Sequence, residues 1–162
     1  MRRRIKTRGL AALITSIVAL AALAAGTSNA QTTGAVTRTF SFIAKPNSKT
    51  STLLNNNSLL INARCDAKGS PVAFAFSSAS SADLFGRLFD GLGRVHIIKN
   101  SAFTRTSKGV SLSPSSGDFD STGSVLFETS SGRVVTVNYA LDNATTLNRT
   151  NVCTVYGSYI AT

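Results

Sequence analysis

The chain of 162 residues has no tryptophan, one histidine, one methionine, two cysteines and three prolines. Each scarcity narrows the chemistry. With a single imidazole, any catalytic triad or histidine-rich metal centre has to run through His96, and no Gly-x-Ser-x-Gly elbow offers it a serine partner. His96 lies between Val95 and Ile97 in an alternating stretch, which suits a structural or edge histidine better than a general base. Cys65 and Cys153 are far apart in sequence and form no Cys-x-x-Cys pair, so no zinc ligand set is assembled. Acidic residues number only seven. Asp118 and Asp120 share one short stretch, whereas glycosidase carboxylates come from separate elements across a gap of roughly 5–10 Å. The composition therefore predicts a non-catalytic protein that carries no cofactor. The lack of tryptophan also removes the strongest stacking platform and leaves Tyr139, Tyr156 and Tyr159.

A long apolar run is missing too. Arg2, Arg3, Arg4, Lys6 and Arg8 open the chain, and an apolar run follows from Leu10 to Ala25. At about 16 residues it falls short of the roughly 20 that a spanning helix needs. Ser28-Asn29-Ala30 then presents small residues at the positions a signal peptidase reads. Charged start, apolar middle and small-residue exit predict a secretory signal peptide over residues 1–30, cleaved after Ala30. No cysteine sits at the cleavage point to accept a lipid, and Lys6 stands where a twin-arginine signal wants an apolar residue. The expectation is one secreted domain, residues 31–162, with no membrane contact after cleavage, in the extracellular space or cell envelope.

Export changes the charge and sulfur arithmetic. The net charge of +10 counts 17 basic and seven acidic residues. Five of the basic residues and none of the acids lie in residues 1–30, which leaves +5 for the remainder. Those twelve cations form no run. A nucleic-acid partner is therefore not expected, since such proteins cluster their cations on one face or helix. Weak attraction to anionic envelope polymers is the generic consequence. In an oxidising compartment Cys65 and Cys153 most simply pair with each other; two buried thiols are the alternative. A bridge would close a loop of about 88 residues.

Beyond residue 30 the chain is rich in Ser, Thr, Asn, Val and Phe and poor in Glu and Lys, a sheet composition. Val36–Ala44 reads as a first strand with Val36, Arg38, Phe40 and Phe42 on one face. A short strand begins at Thr52–Leu54 and is interrupted by Asn55-Asn56-Asn57. In Ser58–Cys65, Leu59, Ile61, Ala63 and Cys65 alternate with Leu60, Asn62 and Arg64, and the first set is the core face. Val72–Phe76 completes a hairpin with it, and Val72, Phe74 and Phe76 are expected inward. Residues 82–89 are open between strand and a two-turn helix, with Gly86 against the helix. Arg94–Ile98 and Val110–Leu112 are further strands. Ser124–Thr129 and Val134–Leu141 form a second hairpin, and Val152–Ala161 is the last strand, with Cys153, Val155, Gly157 and Tyr159 on one face. Eight to ten short strands with regular turn signals predict a single all-β domain, an antiparallel β-sandwich or jelly-roll-like fold.

Two stretches invite a binding role. Asp118, Asp120 and Thr122 occupy the first, third and fifth places of a calcium-loop opening, with Gly123 at the sixth. The twelfth place is Thr129 rather than Glu, so a plain turn rich in Asp, Ser and Gly competes with the ion site. Tyr139 and Tyr159 fall on predicted core faces. Tyr156 faces the other way with Thr154 and Ser158, which makes it the candidate for contact with a glycan or a protein partner.

The segment Leu59-Leu60-Ile61-Asn62-Ala63-Arg64-Cys65-Asp66, then Asp118–Leu126, Val134–Tyr139 and Cys153-Thr154-Val155-Tyr156-Gly157, resembles a loose group of small exported β-domain proteins of high-GC Gram-positive bacteria. The resemblance covers most of residues 52–162. It implies a secreted, disulfide-linked β-domain and carries over no catalytic or binding residue.

Overall fold

The computed structural model describes residues 34–115, 120–143 and 152–162. The expected signal peptide lies outside them. Ten strands run in order: β1 (Val36–Ala44), β2 (Ser51–Asn56), β3 (Leu59–Cys65), β4 (Pro71–Ser77), β5 (Ala82–Phe89), β6 (Val95–Asn100), β7 (Val110–Ser111), β8 (Ser121–Thr129), β9 (Val134–Asp142) and β10 (Cys153–Ala161). They form a six-stranded sheet, β1-β10-β9-β8-β5-β6, and a four-stranded sheet, β2-β3-β4-β7. Every pairing is antiparallel. The fold is the expected β-sandwich, six strands on four. Residues 82–89 are strand β5, central between β8 and β6, where Gly86 sits flat against its neighbours.

Alternation in the sequence becomes burial in the sheet. Val125 and Phe127, Val135, Val137, Tyr139 and Leu141, and Cys153, Val155 and Tyr159 all point to the interior from the larger sheet. Leu59, Ile61, Ala63 and Cys65 meet them from β3. Removing side chains of this size from water stabilises the fold by about 1.5–3 kcal/mol each. Phe103, on the loop after β6, is completely buried and meets Phe127 edge-on, with ring centroids 6.1 Å apart.

Cys65 and Cys153 are bonded, joining β3 of one sheet to β10 of the other across the core. Their α-carbons are 5.8 Å apart, within the usual span of a disulfide. Both residues are buried.

Two expectations change. In β4 the inward residues are Ala73 and Ala75, while Val72, Phe74 and Phe76 face outward and are half-buried. Partners across a ladder share a face, and the register Ala63 to Ala73 and Ile61 to Ala75 ties the phase of β4 to that of β3. The outward rings are sheltered from outside: Phe74 and Phe76 lie 6.4 Å apart, and Gly109 packs against the Phe76 ring. The second change is at Asn55 and Asn56, which do not interrupt β2 but end it. Only Asn57 and Ser58 turn, both with positive φ (45° and 72°). That is the requirement of a two-residue type I′ hairpin, which asparagine meets at low cost.

The β5–β6 turn has its own anchor. The Asp90 side chain is fully buried; its Oδ1 accepts the backbone N–H groups of Leu92 (3.1 Å) and Arg94 (2.9 Å). Its Oδ2 accepts Arg94 Nε–H (2.7 Å) and His96 Nε2–H (2.9 Å). The hydrogen bond from His96, helped by Arg94, holds the Asp90 carboxyl far below the usual carboxylate range against the opposing effect of burial. A carboxyl lowered in the folded state stabilises fully above its unfolded value near 3.9 and loses that contribution as pH falls through its folded value. Asp90→Asn is therefore expected to lower the urea midpoint at pH 7. It should also make the midpoint fall less steeply between pH 4 and pH 2 than in the parent protein. Parallel acid limbs in the two proteins would contradict this account.

Candidate binding face on the six-stranded sheet

With the inner face committed to the core, the outward residues of the larger sheet follow from register alone. One row across the strands reads Ser41, Tyr156, Ala140, Thr122, Phe89, Val95. The next reads Thr39, Ser158, Asn138, Ser124, Arg87, Ile97. Eight of the ten exposed large apolar residues among those described lie on this face: Ile43, Phe85, Phe89, Val95, Ile97, Leu126, Tyr156 and Ile160. Single exposed apolar residues need no explanation, but their collection on one sheet face marks an interaction surface.

Between the two rows lies a shallow, open depression of about 810 Å³. Tyr156, half-exposed on β10, stands at one side. Phe89 stands at the other on β5, three ladder steps and so roughly 14 Å away. The Arg87 guanidinium lies over the Phe89 ring, 5.5 Å from its centroid, a cation–π contact. Short polar side chains make the floor: Ser41 and Thr39 from β1, Ser158 from β10, Asn138 from β9, Thr122 and Ser124 from β8.

The floor is low because of what lies beneath it. Gly123 and Gly157 belong to the inward row that also holds Phe40, Tyr139 and Leu88. A β-carbon on Gly123 would collide with the Tyr139 ring, and one on Gly157 with the Asn138 carbonyl and the Phe40 ring. Aromatic rings thus take the space the glycines leave on the inner side, a cross-strand arrangement that pins register. Tyr139 is buried, and its hydroxyl has no hydrogen-bond partner among the described residues. Burial raises its pKa well above the ordinary value near 10, so it stays neutral.

Of the sequence candidates, Tyr156 is where it was expected, outward, while Tyr139 and Tyr159 are inside. Thr154 shares the outward side of β10 but is buried. Asp118 lies outside the described residues. Asp120 precedes β8, and Thr122 and Gly123 are already in it, so the second half of the calcium motif runs as extended strand with Thr122 on the outer face. Among the described residues no group of three or more His, Cys, Asp or Glu side chains is placed to hold a metal ion. His96 is on the edge strand β6, engaged with Asp90. The partners of Tyr156, namely Phe89, Arg87 and Asn138, were not singled out in the sequence. They come from two other strands, β5 and β9, and only pairing order brings them to Tyr156.

Fold and face together define a disulfide-linked β-sandwich with an open, aromatic-flanked polar cradle on one sheet. No protein-family model, curated protein or solved structure matches the chain.

Proposed function

We propose that this is an exported, non-catalytic β-sandwich of the cell envelope or extracellular medium, and that it binds an oligosaccharide on the outer face of its six-stranded sheet. The observation that carries this reading is the cradle: an exposed Tyr156 ring and the Phe89–Arg87 pair flanking a floor of hydroxyls and one amide. A sugar ring has an apolar face of C–H bonds and a rim of hydroxyls. The first matches an aromatic platform, and the second matches side chains that both donate and accept. The roughly 14 Å between Tyr156 and Phe89 suits a short oligosaccharide lying across the strands. A shallow open groove also suits a polymer, which has to enter and leave along its length.

Export is supported by the signal-like first thirty residues, by a disulfide compatible with an oxidising compartment, and by the resemblance to small exported β-domain proteins of high-GC Gram-positive bacteria. A purely structural envelope role would not call for an aromatic-flanked groove.

The test is a glycan array, with wall-fraction pull-down, using protein recovered from the culture medium or envelope. Saturable binding to a sugar class is expected. Tyr156→Ala should weaken it about tenfold, the loss of roughly 1.4 kcal/mol from an aromatic contact. The thermal midpoint should move little, because Tyr156 is a half-exposed surface residue. Absence of the protein from both fractions, or binding indifferent to Tyr156, would overturn the reading.

A further inference from the structure

Among the described residues that line the cradle, Arg87 is the sole cation and none is a carboxylate. Among the described residues no acid forms a salt bridge with Arg87, the two such contacts both being to Asp90. Asp90 is occupied by four donors at the β5–β6 turn. Asp83 and Glu128, the acids on this face of β5 and β8, are paired with each other in register. They sit four residues along the strands from Arg87 and Ser124, roughly 13 Å away. The guanidinium is therefore unneutralised by these acids and is held in place by the Phe89 ring. Its planar fork of N–H donors fits a carboxylate or another oxyanion in two-point contact, and it sheds water more readily than an ammonium would.

We infer that the ligand is an acidic oligosaccharide, one that stacks a sugar on Tyr156 and presents an oxyanion to Arg87 at the opposite side of the cradle. This deepens the proposed function and rests on it. A second copy of the chain is a poorer occupant. The face would meet its own uncompensated cation, and the residues beyond the first thirty carry a balance of +5.

The experiment is titration calorimetry of the secreted protein with two charged chains, each beside its neutral counterpart: oligogalacturonate against its methyl ester, and sulfated dextran oligosaccharide against dextran. The charged form of at least one pair is expected to bind tenfold or more tightly than its neutral form, and the pair that does so distinguishes carboxylate from sulfate. Arg87→Gln should abolish that preference, Arg87→Lys should restore part of it, and Tyr156→Ala should weaken charged and neutral forms alike. Equal binding of charged and neutral chains, or a preference that survives Arg87→Gln, overturns the acidic assignment and leaves a neutral glycan reading standing. Failure of all four chains with neutral hits on the array does the same. Failure of every sugar, on the array and in the calorimeter, sinks both.

Discussion

Opening the Cys65–Cys153 bridge is expected to cost about 4–5 kcal/mol, the loop-closure entropy of a chain segment of this length. The bond spans 88 positions and joins strands of opposite sheets. Without it the unfolded chain regains the freedom of most of the domain, while the folded state loses the side-chain cross-link between its layers. Domains of ordinary size are stable by only about 5–15 kcal/mol. Reduction should therefore move the urea midpoint by a large fraction of its value. Both the reduced parent and the Cys65→Ala/Cys153→Ala double variant should show it. Agreement between these two would assign the loss to the link itself. A midpoint unmoved by reductant, with free thiols verified by alkylation, would show that packing alone holds the sheets together.

Phe103→Ala is expected to destabilise the fold by about 3–5 kcal/mol, as large for a loop residue as for a central strand residue. Phe103 lies on the connection that leaves the six-stranded sheet after β6 and enters the smaller sheet at β7. Its ring is fully buried against Phe127, and its backbone N–H donates to the Ala82 carbonyl at 2.8 Å. Truncation leaves a void between the layers, and the crossover loses its anchor. Phe127→Ala should cost a similar amount. The double variant should lose less than the sum by about 0.5–1.5 kcal/mol, the contribution of the edge-to-face pair itself. Chemical denaturation of the four proteins measures this cycle, and strict additivity would show that the rings do not support each other.

Phe103 also shows where the sequence falls silent. Its neighbours Ser101, Ala102 and Thr104 give it no alternation, so nothing local marks it as core. Strands with a two-residue period were legible: the inward sets of β3, β8, β9 and β10 follow directly from it, as do the β3–β4 and β8–β9 hairpins. Period does not say which face is inside, however. In β4 the larger side chains suggested Val72, Phe74 and Phe76, and pairing to β3 decided for the alanines. The cradle was half visible. Tyr156 is the odd aromatic on an otherwise inward-reading strand, which is a local signal. Phe89 and Arg87 become its companions only because β9 and β8 stand between β10 and β5, an order that no single strand encodes. Asp90 was hidden for a similar reason: its four donors come from its own turn and from a histidine that reads, locally, as part of an apolar strand.

The outermost strand β1 has a single ladder partner, β10, with Val36 opposite Ala161 and Ala44 opposite Cys153. β1 is the first strand of the domain and its mate is the tenth, so the two meet only by closing a loop that contains every other strand. Until they meet, the amides of β1 that face β10 are left to water. Such distant pairings make folding slow. Docking of β1 onto β10 is then expected late in folding, next to the Cys65–Cys153 bridge.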